Sequence, residues 1–216
     1  MELQPDALDP RDRYKLLIGG VVPRPIAFVS TVSTEGAHNI APYSFFAGVG
    51  SNPMTLLFCP ATLPDGCDKD SLRNALPPAE GGVGEFVVNA ATETYARQVA
   101  AAAEGLPHGE SEFELTGRTA VPCSKVRPPR RAESPISFEC ETLEVVRTAP
   151  GQPGSGNIVL GRVVCVHVDD RLINERFHVD ADELRAIGRM GGLEYCRTAE
   201  RFAMPRGRDA LKAPDV

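Results

Sequence analysis

Apolar and polar positions alternate along much of this chain, and the alternation predicts strands. "VVPRPIAFVSTVS", residues 21–33, is rich in β-branched residues and reads as a first strand. "TEGA" after it supplies a turn, with Gly36 free to take positive φ. "HNIAPYSFFAGVG", residues 38–50, is the expected return strand. Pro42 inside it donates no backbone N–H, which implies an edge, a bulge or a bend. "NP" at 52 and 53 ends that strand, "MTLLFC" follows as a third, mostly buried one, and "GEFVVNA" makes a fourth. "ISFECE" sets Ile136, Phe138 and Cys140 against Ser137, Glu139 and Glu141, a half-buried pattern. Its phase shifts near Thr142, so a bulge or twist is expected there. "NIVLGRVVCVHVDD" places Ile158, Leu160, Val164 and Val166 on one face, with Arg162 an exception.

Helical signals are fewer and shorter. A turn of helix fits Arg11 to Leu17, and "DKDSLRNAL" reads as a helix capped by Asp70 or Ser71. "TETYARQVAAAA" is a second, opening at Thr92 with Glu93 in its first turn. "DADELRAIG" carries an Asp180-x-x-Glu183 capping box. Residues 105–135 are polar and proline-rich, and at that length they read as a functional or subunit-contacting loop. Six or seven antiparallel strands with few helices predict a closed barrel, because closure removes exposed edges. A barrel this small has its interior filled by side chains. A ligand is then expected outside it, at a rim or against a second subunit.

Composition narrows the classes. With 216 residues, 42% hydrophobic and 24% charged, the chain has enough apolar material for one β-rich domain over 1–216. A net charge of −6 gives no general basic field, which argues against non-specific nucleic-acid binding. Lys125, Arg127, Arg130 and Arg131 make only a local basic stretch. No apolar run reaches the length of a membrane span, and "MELQPDALDPRDRY" lacks the positive-then-apolar order of a secretion signal. The six cysteines form no C-x-x-C pair, and Cys140 and Cys165 fall inside apolar strand patterns. A reduced, cytoplasmic setting without structural zinc is the expectation.

Candidate chemistry does not come from nucleotide-loop or nucleophile-elbow motifs, none of which is present. "GQPGSG" at 151–156 precedes no helix and reads as a hairpin loop, and the four histidines, His38, His108, His167 and His178, lack helical metal spacing. No metal site is expected. The start of the helix at Asp70 or Ser71 offers free N–H groups suited to a phosphate, with Lys69 and Arg73 adding charge; an ordinary capped surface helix is the alternative. Around Pro42, small, hydroxylated or flat residues would let an aromatic ligand approach the backbone; a slightly polar edge strand is the alternative.

Taken together, "RPIAFVSTVSTEGAHNIAPYSFFAGVGSNP", "KDSLRN", "GEFVVN", "RRAESPISFECE" and "GRMGGLEYCRT" resemble the flavin reductase-like family, from about Tyr14 to Thr198. The resemblance implies a mainly β fold, the FMN-binding split β-barrel, antiparallel and Greek-key-like with short peripheral helices. It also implies a homodimer with FMN, or FAD by the same contacts, near the subunit interface. Arg24, Ser30 and Thr31 would contact the flavin or its ribityl chain. Asn39, Pro42, Tyr43, Ser44 and Phe45 would line the ring, and Lys69, Asp70 and Ser71 match the family's phosphate motif. Asn89 matches a further site position, and Arg189 and Tyr195 are placed on the substrate side. Extra prolines in "PATLPDGC" and "RNALPPAEGG" depart from the pattern and leave the exact phosphate ligands open.

The activity so implied is hydride transfer from NADH or NADPH to bound flavin, and no catalytic side chain is assigned, since flavin carries the chemistry. Reduced flavin either leaves to supply a monooxygenase component or stays and hands on its electrons to a small-molecule acceptor. The alternative is a non-catalytic FMN carrier reduced by a protein partner. A sensing or haem-binding module on the same barrel would need an axial histidine, for which only His38 lies near.

Overall fold

The computed structural model describes residues 1–107, 110–117 and 119–214, so His108 lies outside the described residues. In chain order the elements are α1 (Pro10–Gly20), β1 (Arg24–Pro25), β2 (Ala27–Val32), β3 (His38–Tyr43), β4 (Phe46–Ser51), β5 (Met54–Phe58), α2 (Asp70–Ala75) and β6 (Glu85–Ala90). There follow α3 (Ala96–Ala101), α4 (Glu112–Leu115), β7 (Ala120–Val121), β8 (Arg130–Arg131), β9 (Ile136–Arg147), β10 (Asn157–Val168), α5 (Ala181–Leu184), β11 (Ile187–Arg189) and β12 (Tyr195–Arg197).

Seven strands form one antiparallel sheet in the order β3-β2-β6-β9-β10-β5-β4. Its two edges, β3 and β4, are consecutive in the chain and separated only by Ser44 and Phe45. The expected return strand over 38–50 is therefore two strands on opposite edges. The expected closed barrel is likewise split: no ladder joins β3 to β4 among the described residues, and the chain itself bridges the gap. Cys59 N–H donates to Phe45 O at 2.9 Å and holds the crossing point. Pro42 sits on the β3 edge, where a missing donor costs no ladder bond.

Burial divides β2 by parity. Ala27 and Val29 face the barrel core with Phe58, Leu72, Phe86, Val88, Cys140 and Val159. Phe28 faces an outer layer with Ile40, Tyr95, Val99 and Phe113, which α3 and α4 cover. Gly36 takes φ 92 in the β2–β3 turn, as its position requires.

Three local expectations change. Ser137 and Glu139 are fully buried rather than solvent-facing. The polar stretch before β9 folds back over them, and Glu139 accepts from the amides of Ser124, Lys125 and Val126. On β10 the buried set is Asn157, Val159 and Gly161, not Ile158 and Leu160. A register shift between Val163 and Cys165 then moves Val166 opposite Phe138, so the apolar row changes face. The shift expected near Thr142 is present: Leu160 pairs with Glu144 and Gly161 with Thr142, leaving Leu143 as the extra residue. Finally, α3 starts only at Ala96, after a 3-10 turn over Glu93–Tyr95. Asp180 caps α5 as expected, accepting from Asp182 and Glu183 amides.

Candidate functional site

The split between β3 and β4 gathers most of the sequence-predicted residues. On β3, Ile40 N–H points off the sheet edge and is taken by Glu112 Oε2 at 3.0 Å. Pro42, two residues on along the same edge, has no N–H to offer. At Ile40 and Pro42 the outer edge of β3 thus offers no free backbone donor. Tyr43 turns inward, its ring 5.2 Å from that of Phe58, and burial raises its phenol pKa.

Asp70 to Ala75 cross the foot of this edge as α2. Neither Asp70 nor Ser71 is the cap; Lys69 holds that position with extended backbone and no side-chain cap bond. Ser71 Oγ accepts from Asn39 Nδ2 at 2.8 Å, tying α2 to β3. Thr31 Oγ1 accepts from Asn39 at 3.3 Å and from Asn74 at 3.0 Å. Asp70 pairs with Arg73 one turn later. Lys69 differs from all of these. Its Nζ lies 5.8 Å from the centre of the Tyr43 ring, with no carboxylate pairing it among the described residues, and burial lowers its pKa. A half-buried ammonium without an anion favours an anionic ligand.

The segment carrying Lys69 is anchored from β9. Asp68 accepts two bonds from Arg147, at 2.8 and 2.6 Å, and this pairing lowers the Asp68 pKa. The aspartate is held ionised by folding, so the stability it contributes is complete well above 3.8, its ordinary value, and is lost as pH falls through the lower folded value. Asp68→Asn should lower stability by about 1 kcal/mol at neutral pH. Melting curves of the two proteins should converge in acid; a constant gap would show that the charge is not what matters.

Arg24 organises the crossing point of the split. It is 3% exposed and donates to the carbonyls of Ile18, Val21 and Met190, with Nε to Ser44 Oγ at 3.2 Å. Its guanidinium also lies 5.9 Å from the Phe45 ring centre. Through Met190 it couples Ser44 to the small sheet β1-β11-β12, where Arg189 and Tyr195 are cross-strand partners. Those two side chains make a cation–π contact, 4.6 Å from charge to ring centre.

Three predicted residues are placed differently. Ser30 and Asn89 are wholly buried beneath the stretch preceding β9. Ser30 donates to Pro129 O, while Asn89 donates to Phe28 O and Ser30 Oγ and accepts from Arg131 N and Ser137 Oγ. Thr31 is also without exposed surface and serves the Asn39–Asn74 knot. Two site residues escape the sequence reading. Asn74, three positions after Ser71 on one helical face, was within reach of a spacing argument. Glu112 was not, since 72 residues separate it from Ile40.

A family model described as flavin reductase like domain matches residues 19–188. The chain belongs to that family. Within it, the chain is 38% identical over 208 residues to the uncharacterized protein BH2278 of Halalkalibacterium halodurans, covering 95% of this chain and 96% of the relative. It is similar to nitrilotriacetate monooxygenase component B from Bacillus cereus, with TM-score 0.87, 34% identity, and 94% and 98% of the two chains covered. It is also similar to the Pseudomonas fluorescens 2-nitrobenzoate 2-nitroreductase NbaA, with TM-score 0.83, 29% identity, and 96% and 97% covered. This flavin reductase-like chain is thus mainly β, a split barrel, and the split between β3 and β4 lies in the matched region. Among the described residues, no helix is long and apolar enough to cross a membrane.

Proposed function

We propose that this flavin reductase-like protein is an FMN-dependent oxidoreductase working with NADH or NADPH. Lys69 carries the reading. A half-buried ammonium with no paired carboxylate among the described residues, beside Ser71 and at the foot of a proline-interrupted edge, suits a flat ring with a phosphate tail. When bound, FMN supplies the ring that accepts hydride from a nicotinamide. Lys69 holds the phosphate end, the buried Ser71 ties its helix to β3 through Asn39, and the Asp70 charge nearby is already offset by Arg73. Pro42 leaves its own position on that edge without a backbone donor, a flat place for the ring to approach. Arg24 fixes Ser44 where a polar edge of the ring needs a hydroxyl. Arg189 and Tyr195 present charge and an aromatic face for the donor nucleotide. Ser30, Thr31 and Asn89 shape the strands behind rather than touch the ligand.

A homodimer completes this proposal. The chain exposes 13253 Å², whereas a folded monomer of its mass exposes about 9,700 Å². Apolar side chains contribute to that surface, among them Tyr14, Leu16 and Leu17 on α1 and Phe202 near the C-terminal end. A monooxygenase component is the proposed acceptor of the reduced flavin, by analogy with the nitrilotriacetate system named above.

The test is to purify the protein with FMN, weigh it in solution, and follow NADH and NADPH oxidation by their near-ultraviolet absorbance. We expect twice the 23.2 kDa chain mass, bound FMN, and oxidation of at least one nucleotide. FMN reduced by dithionite but by neither nucleotide would make the protein an electron carrier instead. Absence of flavin binding would end the proposal.

A further inference from the structure

Away from the flavin slot, Cys123, Glu139 and His167 each present one donor atom, and these atoms lie within 4.8 Å of one another. They come from three segments, the stretch between β7 and β8, strand β9 and strand β10. No short sequence spacing joins them, which is why the histidine pattern alone points to nothing. Glu139 has no exposed side-chain surface and is held from behind. Its Oε1 accepts from Ser124 N at 2.8 Å, and its Oε2 from Lys125 N at 2.6 Å and Val126 N at 3.2 Å. His167 Nε2 contacts Oε1 directly, and Cys165 Sγ stands 3.9 Å from the same nitrogen.

We infer that Cys123, Glu139 and His167 form a binding site for a borderline-soft divalent cation, zinc by its donor set, which fastens the stretch before β8 to the outer face of the sheet. Thiolate, imidazole and carboxylate together are a zinc set, whereas magnesium and calcium require oxygen ligands throughout. Ligand atoms around a tetrahedral zinc are about 3.3–3.8 Å apart, given bonds of about 2.0–2.3 Å, so the existing cluster needs only a small adjustment. A carboxylate oriented by three amides is the outer-shell support that a metal-bound oxygen ligand needs. The His167 side chain is 26% exposed, which leaves an entry path from solvent. Binding sends the Cys123 thiol proton to water, and His167 ligates through Nε2 with its ring proton on Nδ1. Without metal the same groups make only a hydrogen-bonded staple, and the two readings part on whether the ion binds.

Chelator-treated full-length protein titrated with cobalt(II) should develop a ligand-field band in the red, clear of flavin absorption, saturating at about one cobalt per chain. Excess zinc should bleach it. Cys123→Ser and, separately, His167→Gln should each weaken cobalt binding by at least about 10–100-fold while circular dichroism stays native. The staple-only outcome, no saturable band in the unaltered chain, overturns the inference. Equal cobalt binding by folded Cys123→Ser protein overturns it too. None of these ligands belongs to the flavin slot, so FMN titrations of the same samples report on that site separately.

Discussion

Lys69→Met should weaken FMN binding by ~1–3 kcal/mol, about 5- to 150-fold in dissociation constant, without lowering the stability of the flavin-free protein. Two facts set the size and the sign. The ammonium contacts the Tyr43 ring but has no carboxylate partner among the described residues. Burial already lowers its pKa, so in the free protein the charge is a cost that only an anion offsets. Methionine keeps the apolar stem over Tyr43 and removes the charge alone. A structural lysine would show the reverse: a lower melting temperature and unchanged flavin affinity. Fluorescence titration of FMN beside a melting curve separates the two. If affinity holds, the phosphate is bound elsewhere.

Much of this arrangement was legible in the sequence because its physics is local. Proline cannot donate, so Pro42 had to lie on an edge, at a bulge or at a bend, and it lies on an edge. Gly36 had to turn, and Asp180 had to cap. The phase change at Thr142 foretold the extra residue Leu143. What the sequence hid depends on tertiary cover. Alternation makes Ser137 and Glu139 look solvent-facing, and nothing local reveals that residues 120–131 fold over them. The same ambiguity affects Ser30 and Asn89. A polar residue inside an apolar strand serves either a ligand or a buried hydrogen-bond network, and both uses leave the same mark in a sequence. Here the network through Arg131 and Ser137 accounts for Asn89 fully. The split of residues 38–50 across both sheet edges was equally hidden. Ser44 and Phe45 carry no turn signal of their own, and the break arises because β4 finds its partner in β5.

Arg24→Met should be the more damaging change, at about 3–5 kcal/mol of stability, or a fall in melting temperature of about 6–20 °C. The guanidinium donates to the carbonyls of Ile18, Val21 and Met190 and to Ser44 Oγ, in a place that is almost wholly closed to water. Methionine fills comparable volume but leaves those acceptors without a donor, each at about 1–3 kcal/mol where water cannot reach. Arg24→Lys should recover only part of the loss, since a point charge cannot span carbonyls that a planar fork serves together. The resemblance to the family implies direct contact with flavin, whereas the bonds observed make Arg24 a brace between α1, β11 and the split. The consequences differ. A brace predicts loss of stability in flavin-free protein and weaker FMN binding that follows from the displaced Ser44. A direct ligand predicts a flavin-free melting temperature close to that of the unaltered chain, with the whole effect appearing only when FMN is added.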